Sequence, residues 1–108
     1  MIDFFKKSDH LYCVPKVDVI ASNVPELRNA LLDYLDNHSW ESLIFDCRDV
    51  GTLDSVGVNL IVGLYKKTES FEKKFQVSGC NETILKILKL FKLDRKFTVE
   101  GRGVSESE

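Results

Sequence analysis

Four aspartates and one serine are the side chains of this sequence that could take part in chemistry. Asp46, Asp49 and Asp54 follow a short apolar run, and Ser55 comes next, where a helix is expected to begin. Free backbone N–H groups and the helix dipole at such a position accommodate a phosphate group. The nearby carboxylates, with Asp18 as a fourth, would repel the added charge, so phosphorylation would alter the surface potential strongly. Ser55 is therefore a candidate phosphorylation site.

The same residues allow two simpler interpretations. Asp54 or Ser55 can act as the N-cap of the helix and have no further role. The carboxylates can also bind Mg²⁺, because oxygen ligands at the end of a strand suit that ion. Nothing beside them indicates substrate chemistry, and the residues alone leave these alternatives open.

Patterns typical of catalysis or cofactor binding do not occur in the sequence. His10 and His38 fall in predicted polar turns, without a serine or cysteine partner at a useful spacing. There is no phosphate-binding loop of the Walker type and no dinucleotide-binding fingerprint. Cys13, Cys47 and Cys80 are too far apart for a zinc motif, so they are predicted to be buried free thiols. We therefore expect no enzymatic activity, no cofactor and no metal site.

The composition fits one globular domain of 108 residues, with 44% hydrophobic and 30% charged residues. The net charge is −2, and the lysines occur in pairs such as Lys6-Lys7. Direct binding to nucleic acid is therefore not expected. No apolar run is long enough for membrane insertion. Residues 1–7 lack the apolar stretch of a signal peptide, so we predict a cytoplasmic protein, which we also expect to be a monomer.

Predicted strands and helices alternate along the chain. Leu27, Leu31 and Leu35 share one face of a helix that opens at Pro25. The dense apolar run Leu43–Cys47 predicts a strand that is buried on both faces. The predicted strands are 2–5, 11–14, 17–20, 43–47, 75–78 and 97–99, and the predicted helices begin at Pro25, near Ser55 and after the capping residue Asn81.

This order of elements predicts an α/β fold. Strands that alternate with helices favour a mostly parallel sheet with right-handed crossovers. The two opening strands predict an N-terminal hairpin, which makes the sheet mixed, with the helices packed on it. Residues 1–100 are predicted to form the domain, and the small, polar and charged residues 101–108 a disordered tail.

Several segments of the chain resemble one known family. The stretch Leu53–Val58 resembles the Asp-Ser-[Ser/Thr]-Gly-Leu-Gly signature of STAS domains, and more narrowly that of bacterial anti-sigma factor antagonists. Val17-Asp18 and Pro25–Leu27 are similar to the family's Leu-Asp pair and first helix. Leu43–Val50 is similar to its central strand, and Ile84–Leu93 to its last long helix. The resemblance extends over nearly the whole chain and implies a STAS-like single domain.

The resemblance also implies a function based on partner switching. In this family the unphosphorylated protein binds an anti-sigma factor that is also a serine kinase, which frees a sigma factor for transcription. The kinase phosphorylates the serine that follows the motif aspartate, and a PP2C-type phosphatase reverses the modification. In this sequence the phosphorylated serine would be Ser55. The residues implied to bind the partner are Asp18, Asp54, Ser55, Val56, Gly57 and Asn59.

The sequence also departs from the family pattern. Val56 stands where serine or threonine is common, so Ser55 is the only hydroxyl at this point of the motif. Val58-Asn59 replaces the usual Leu-Gly, and Asn59 could face the partner and alter which kinase is recognised.

An alternative function that the resemblance allows is that of a STAS subunit of a membrane transport complex, which docks on the ATPase of that complex.

Overall fold

The computed structural model describes residues 1–102. Within these residues, no helix combines the length and the apolar character needed to cross a bilayer. The strands are β1 (Ile2–Lys7), β2 (His10–Pro15), β3 (Ser42–Asp46), β4 (Lys74–Cys80) and β5 (Thr98–Gly101), the helices are α1 (Val24–Asn37), α2 (Ser55–Ser70) and α3 (Glu82–Leu90), and a 3₁₀ turn follows α3 at Leu93–Arg95.

The five strands form one sheet in the order β1-β2-β3-β4-β5. The β1–β2 pair is antiparallel, and the three other pairs are parallel. This arrangement confirms the predicted mixed sheet with an N-terminal hairpin. The central strand β3 is buried on both faces as predicted, because Leu43, Ile44 and Phe45 are all buried.

All three helices pack on the same face of the sheet. Phe4 of β1 stacks on Tyr34 of α1, with 4.1 Å between the ring centroids. Phe75 of β4 packs against Tyr65 of α2 at 6.3 Å between the ring centroids. These contacts bury the apolar face of each helix and of the sheet in one common core. Val58, Leu60 and Ile61 in the first half of α2 are buried in this core.

The prediction of a strand at residues 17–20 is wrong. Only Val19 makes a bridge to Leu53, and the rest of the segment is irregular. Pro15, two positions before this segment, is the last residue of β2, and a proline has no N–H to continue a ladder. The segment instead uses its backbone and side-chain groups to bind the loop before α2.

The three cysteines Cys13, Cys47 and Cys80 are free and buried, as predicted. Burial raises the pKa of the Cys13 thiol. Of the segment 101–108 that the sequence predicts to be a tail, Gly101 belongs to β5 and Arg102 is hydrogen-bonded to the domain. Residues 103–108 lie outside the described part of the chain.

Candidate functional site

The loop before α2 is held by the segment that follows β2. The carboxylate oxygen Oδ1 of Asp18 accepts hydrogen bonds from the backbone N–H groups of Gly51 at 2.8 Å and Thr52 at 3.4 Å. The Val19 N–H donates to the Thr52 carbonyl at 3.2 Å. The Asp54 N–H donates to the Val19 carbonyl at 3.4 Å. We call these paired segments, residues 17–21 and 51–54, the clasp.

Asp54 closes the clasp from the other side. Its side chain accepts from the Gly57 N–H at 2.9 Å, which caps α2, and from the Ala21 N–H at 2.8 Å, across the clasp. Hydrogen bonds from the Ala21 N–H, which has the larger effect, and from the Gly57 N–H stabilise the ionised carboxylate and lower the pKa of Asp54. The capping interpretation of Asp54 is therefore confirmed, and the same side chain also holds the preceding segment.

The cap makes a testable prediction about pH dependence. Because the pKa of Asp54 is lowered by folding, the ionised carboxylate stabilises the fold above the ordinary value of 3.8, and this contribution is lost as pH falls through the lowered value. Asp54→Asn keeps one acceptor oxygen for two N–H groups. We expect its urea midpoint to lie below that of the wild type at pH 7, and the difference to shrink on acidification below 3.8. The exposed turn variant Asp9→Asn is the control, and an unchanged difference at low pH would contradict the prediction.

Gly57 lies under the clasp and is buried. A Cβ atom at this position would lie 1.9 Å from the Val19 carbonyl oxygen, which is far inside van der Waals contact. The glycine therefore lets the start of α2 approach the clasp closely. Val56 is partly buried beside it, Val58 is buried, and Asn59 is exposed.

Ser55 is exposed at the first position of α2. Its hydroxyl makes no hydrogen bond to any of residues 1–102, whereas the carboxylate of the preceding Asp54 is bound on both oxygens. The side chain is thus free for modification on a backbone that is fixed on both sides. Of the predicted partner-binding residues, Asp18, Asp54 and Ser55 meet at the clasp.

A groove between α1 and α2 continues the exposed face of α2. Asn59, one helical turn after Ser55, lines it with Gly63, and Arg28 and Leu32 of α1 line its other side. The volume of about 240 Å³ is below the range of roughly 300–1,000 Å³ that is usual for small-molecule pockets. The groove thus has the size for a side chain of a partner, and it places the predicted residue Asn59 on the same surface as Ser55.

The remaining carboxylates do not gather around Ser55. Asp46 is buried and bound by the Arg48 side chain, with 2.6 Å between Oδ2 and Nη2. Asp49 accepts from Lys16 Nζ at 2.8 Å, and the pKa of Asp49 is lowered by this contact. Among residues 1–102 there is no group of three or more histidine, cysteine, aspartate or glutamate side chains that could hold a metal ion.

Two residues that the sequence did not single out hold the loop after β3. Arg102 donates from Nη2 to the carbonyls of Cys47 at 2.9 Å and Val50 at 2.7 Å. Asn81, predicted only as the cap of α3, also donates to the Gly51 carbonyl at 2.8 Å. No local signal could reveal Arg102, because it lies in a small polar segment and its acceptors are backbone atoms 23 to 55 positions away.

Comparisons with known proteins place the fold among solved structures. A candidate anti-sigma factor antagonist from Thermotoga maritima superposes with a TM-score of 0.87 at 22% identity, over 98% of this chain and 90% of that chain. An anti-sigma factor antagonist from Mycobacterium paratuberculosis gives 0.85 at 19% identity, over 99% and 89%. The anti-sigma factor antagonist SpoIIAA in its unphosphorylated form gives 0.69 at 11% identity, over 99% and 93%.

These identities are low, so the superpositions establish the fold alone. The sequence itself gives the family, because the STAS domain model matches residues 6–104, nearly the whole chain. The predicted resemblance to STAS domains is thereby confirmed: the chain belongs to the STAS domain family.

Proposed function

We propose that this protein is an anti-sigma factor antagonist controlled by phosphorylation of Ser55. In the proposal, the unphosphorylated form binds an anti-sigma factor that is also a serine kinase, and a sigma factor is thereby freed. Phosphorylation by that kinase ends the complex, and a PP2C-type phosphatase restores it. The protein acts as a cytoplasmic monomer and as a binding protein rather than an enzyme.

The observation that carries the proposal is the free hydroxyl of Ser55 at the start of α2. The hydroxyl is exposed and has no hydrogen-bond partner among residues 1–102, so a kinase can reach it without unfolding the helix. The superposition with SpoIIAA, an anti-sigma factor antagonist solved in its unphosphorylated form, supports the same function.

The electrostatics of the site favour a local mechanism. A phosphate on Ser55 adds about −1.5 to −2 charges beside Asp54. The N-terminus of α2 tolerates the anion, so the fold need not change. The contact surface does change, because the added charge repels acidic groups of the partner and must be desolvated in the complex. A thousandfold loss of affinity needs only about 4 kcal/mol.

The partner surface extends beyond the serine in this proposal. The clasp contributes Asp18 and Asp54, Ser55 follows it at the start of α2, and the groove that begins at Asn59 can take a side chain of the partner. Gly57 contributes indirectly, since its lack of a side chain lets α2 approach Val19. Asn59 in place of the usual glycine is then a feature that selects the cognate kinase.

Mass spectrometry of the protein from its own cells, with phosphatases inhibited, tests the proposal. We expect a fraction with one phosphoryl group that maps to Ser55. A Ser55→Ala strain should lose this fraction. A Ser22→Ala strain is the matched control, since Ser22 is also exposed and lies just before a helix, and it should keep the fraction. No phosphoryl group under several growth and stress conditions would contradict the proposal. Stable co-purification with an ATP-binding cassette subunit, independent of Ser55, would instead favour the role in a transport complex.

A further inference from the structure

The end of α3 exposes apolar side chains away from the candidate site. Leu90 is 77% exposed and Phe91 is 50% exposed, and Ile87, one turn earlier, is only partly buried beside them. Leu90 lies on the outer face of the helix, opposite Ile84 and Leu88, which are fully buried. Large apolar side chains with such exposure mark an interaction surface more often than scattered single residues do.

Basic side chains surround these apolar groups. Residues 86–96, which we call the α3 patch, contain five cations and one carboxylate, Asp94, in a chain whose net charge is −2. The cations are Lys86, Lys89, Lys92, Arg95 and Lys96. None of them forms an ion pair within the described residues. The α3 patch is therefore a local concentration of positive charge that no carboxylate of residues 1–102 pairs with.

The backbone holds the α3 patch in a defined shape. The N–H of Phe91 donates to the Ile87 carbonyl at 3.2 Å, and that of Lys92 to the Lys89 carbonyl at 2.9 Å. Lys92 has a left-handed conformation with φ of 59°, which turns the chain so that Leu93 is buried. The exposed Leu90 and Phe91 thus lie between two anchored segments and are held at the surface.

The α3 patch is separate from the Ser55 surface. The first turn of α3 adjoins the candidate site, because the capping residue Asn81 bonds Gly51 there. The helix extends for nine residues, or about 13 Å, from this end to Leu90, the most exposed apolar side chain of the patch. A ligand on the patch need not contact the serine or the clasp.

We propose that the α3 patch docks this protein on an anionic phospholipid membrane. Leu90 and Phe91 enter the headgroup layer, and the surrounding cations bind the lipid phosphates. Four of the five cations are lysines, whose compact charge on a flexible stem suits a fluid layer of phosphates. A specific acidic site on a protein favours the bidentate geometry of arginine. The apolar groups also project from the surface, as insertion into a soft layer requires.

Vesicle sedimentation with the full chain tests this proposal. We expect binding to vesicles of phosphatidylglycerol and phosphatidylcholine, little binding to phosphatidylcholine alone, and weaker binding at higher salt. Lys86→Glu/Lys89→Glu should lower the bound fraction at least tenfold, and so should Leu90→Gln. The matched control Lys6→Glu/Lys7→Glu changes two exposed lysines of the hairpin and should bind like the wild type.

Several outcomes would overturn the membrane proposal. They are a wild type that fails to bind anionic vesicles, α3 variants that bind as well as the wild type, and a hairpin variant that loses binding equally. Loss of a protein partner in the α3 variants, without vesicle binding by the wild type, would assign the patch to an acidic protein. Circular dichroism confirms that the exposed substitutions leave the fold intact. Ser55→Asp should retain vesicle binding, so this test is independent of the proposed function.

Discussion

Ser55→Asp is expected to weaken binding to the anti-sigma partner about a hundredfold, or by about 2.7 kcal/mol. The substitution adds a carboxylate next to Asp54 on the proposed contact surface. It supplies less charge than a phosphate, so the effect should be smaller than that of phosphorylation itself. The fold should be unaffected, because Ser55 is exposed and its hydroxyl bonds no other residue of 1–102. Titration calorimetry with the purified partner measures the change.

Two variants separate charge from shape in this experiment. Ser55→Asn has nearly the volume of the aspartate without its charge, so it should retain most of the affinity. Ser39→Asp adds the same charge at an exposed serine just before β3, at the opposite end of that strand from Ser55, and should bind like the wild type. If Ser55→Asn loses as much affinity as Ser55→Asp, steric exclusion rather than electrostatic repulsion controls the complex. An unchanged Kd for Ser55→Asp would contradict the switch.

Gly57→Ala should lower the stability of the protein strongly. The new Cβ would lie 1.9 Å from the Val19 carbonyl oxygen and 3.1 Å from a Val19 side-chain carbon, so α2 or the clasp must move. Overpacking of this kind costs about 3 kcal/mol, a large part of the roughly 5–15 kcal/mol that stabilises a typical domain. The displacement would also misplace Ser55, two positions earlier.

Gly63→Ala is the matched control, because it adds the same atom to the same helix. A Cβ at Gly63 has no neighbour within 4 Å, and alanine favours a helix over glycine by about 1 kcal/mol. We therefore expect Gly63→Ala to raise the urea midpoint and Gly57→Ala to lower it. Changes of equal sign in the two variants would show that helix propensity, and not the contact with Val19, determines the stability.

The sequence predicted those parts of the fold that depend on local patterns. The apolar run of β3 indicates a central strand. Asn81 caps α3 as predicted, because its side chain accepts a hydrogen bond from the Ile84 N–H. Asp54 caps α2 for the same reason: a short acceptor side chain before an apolar helix satisfies free N–H groups. These signals lie within a few residues of the structure that they determine.

The parts that the sequence did not predict depend on contacts between distant segments. Asp18 and Gly51 are 33 positions apart, and the donors in the clasp are backbone N–H groups that almost any residue carries. Residues 17–20 were predicted as a strand, whereas they bind the loop before α2. The ion pair of Asp49 with Lys16 is likewise a contact between distant positions, and the sequence did not show that it occupies a carboxylate predicted to lie near Ser55.

Arg102 has a consequence for the order in which the protein becomes functional during synthesis. Its guanidinium closes the loop after β3 by binding the carbonyls of Cys47 and Val50, yet it is translated well after the loop and Ser55. A nascent chain that has not yet released β5 carries Ser55 without this support. Such a nascent chain would therefore present an incomplete surface. Under the proposed function, a translation product that stops before Arg102 would compete poorly for the anti-sigma factor.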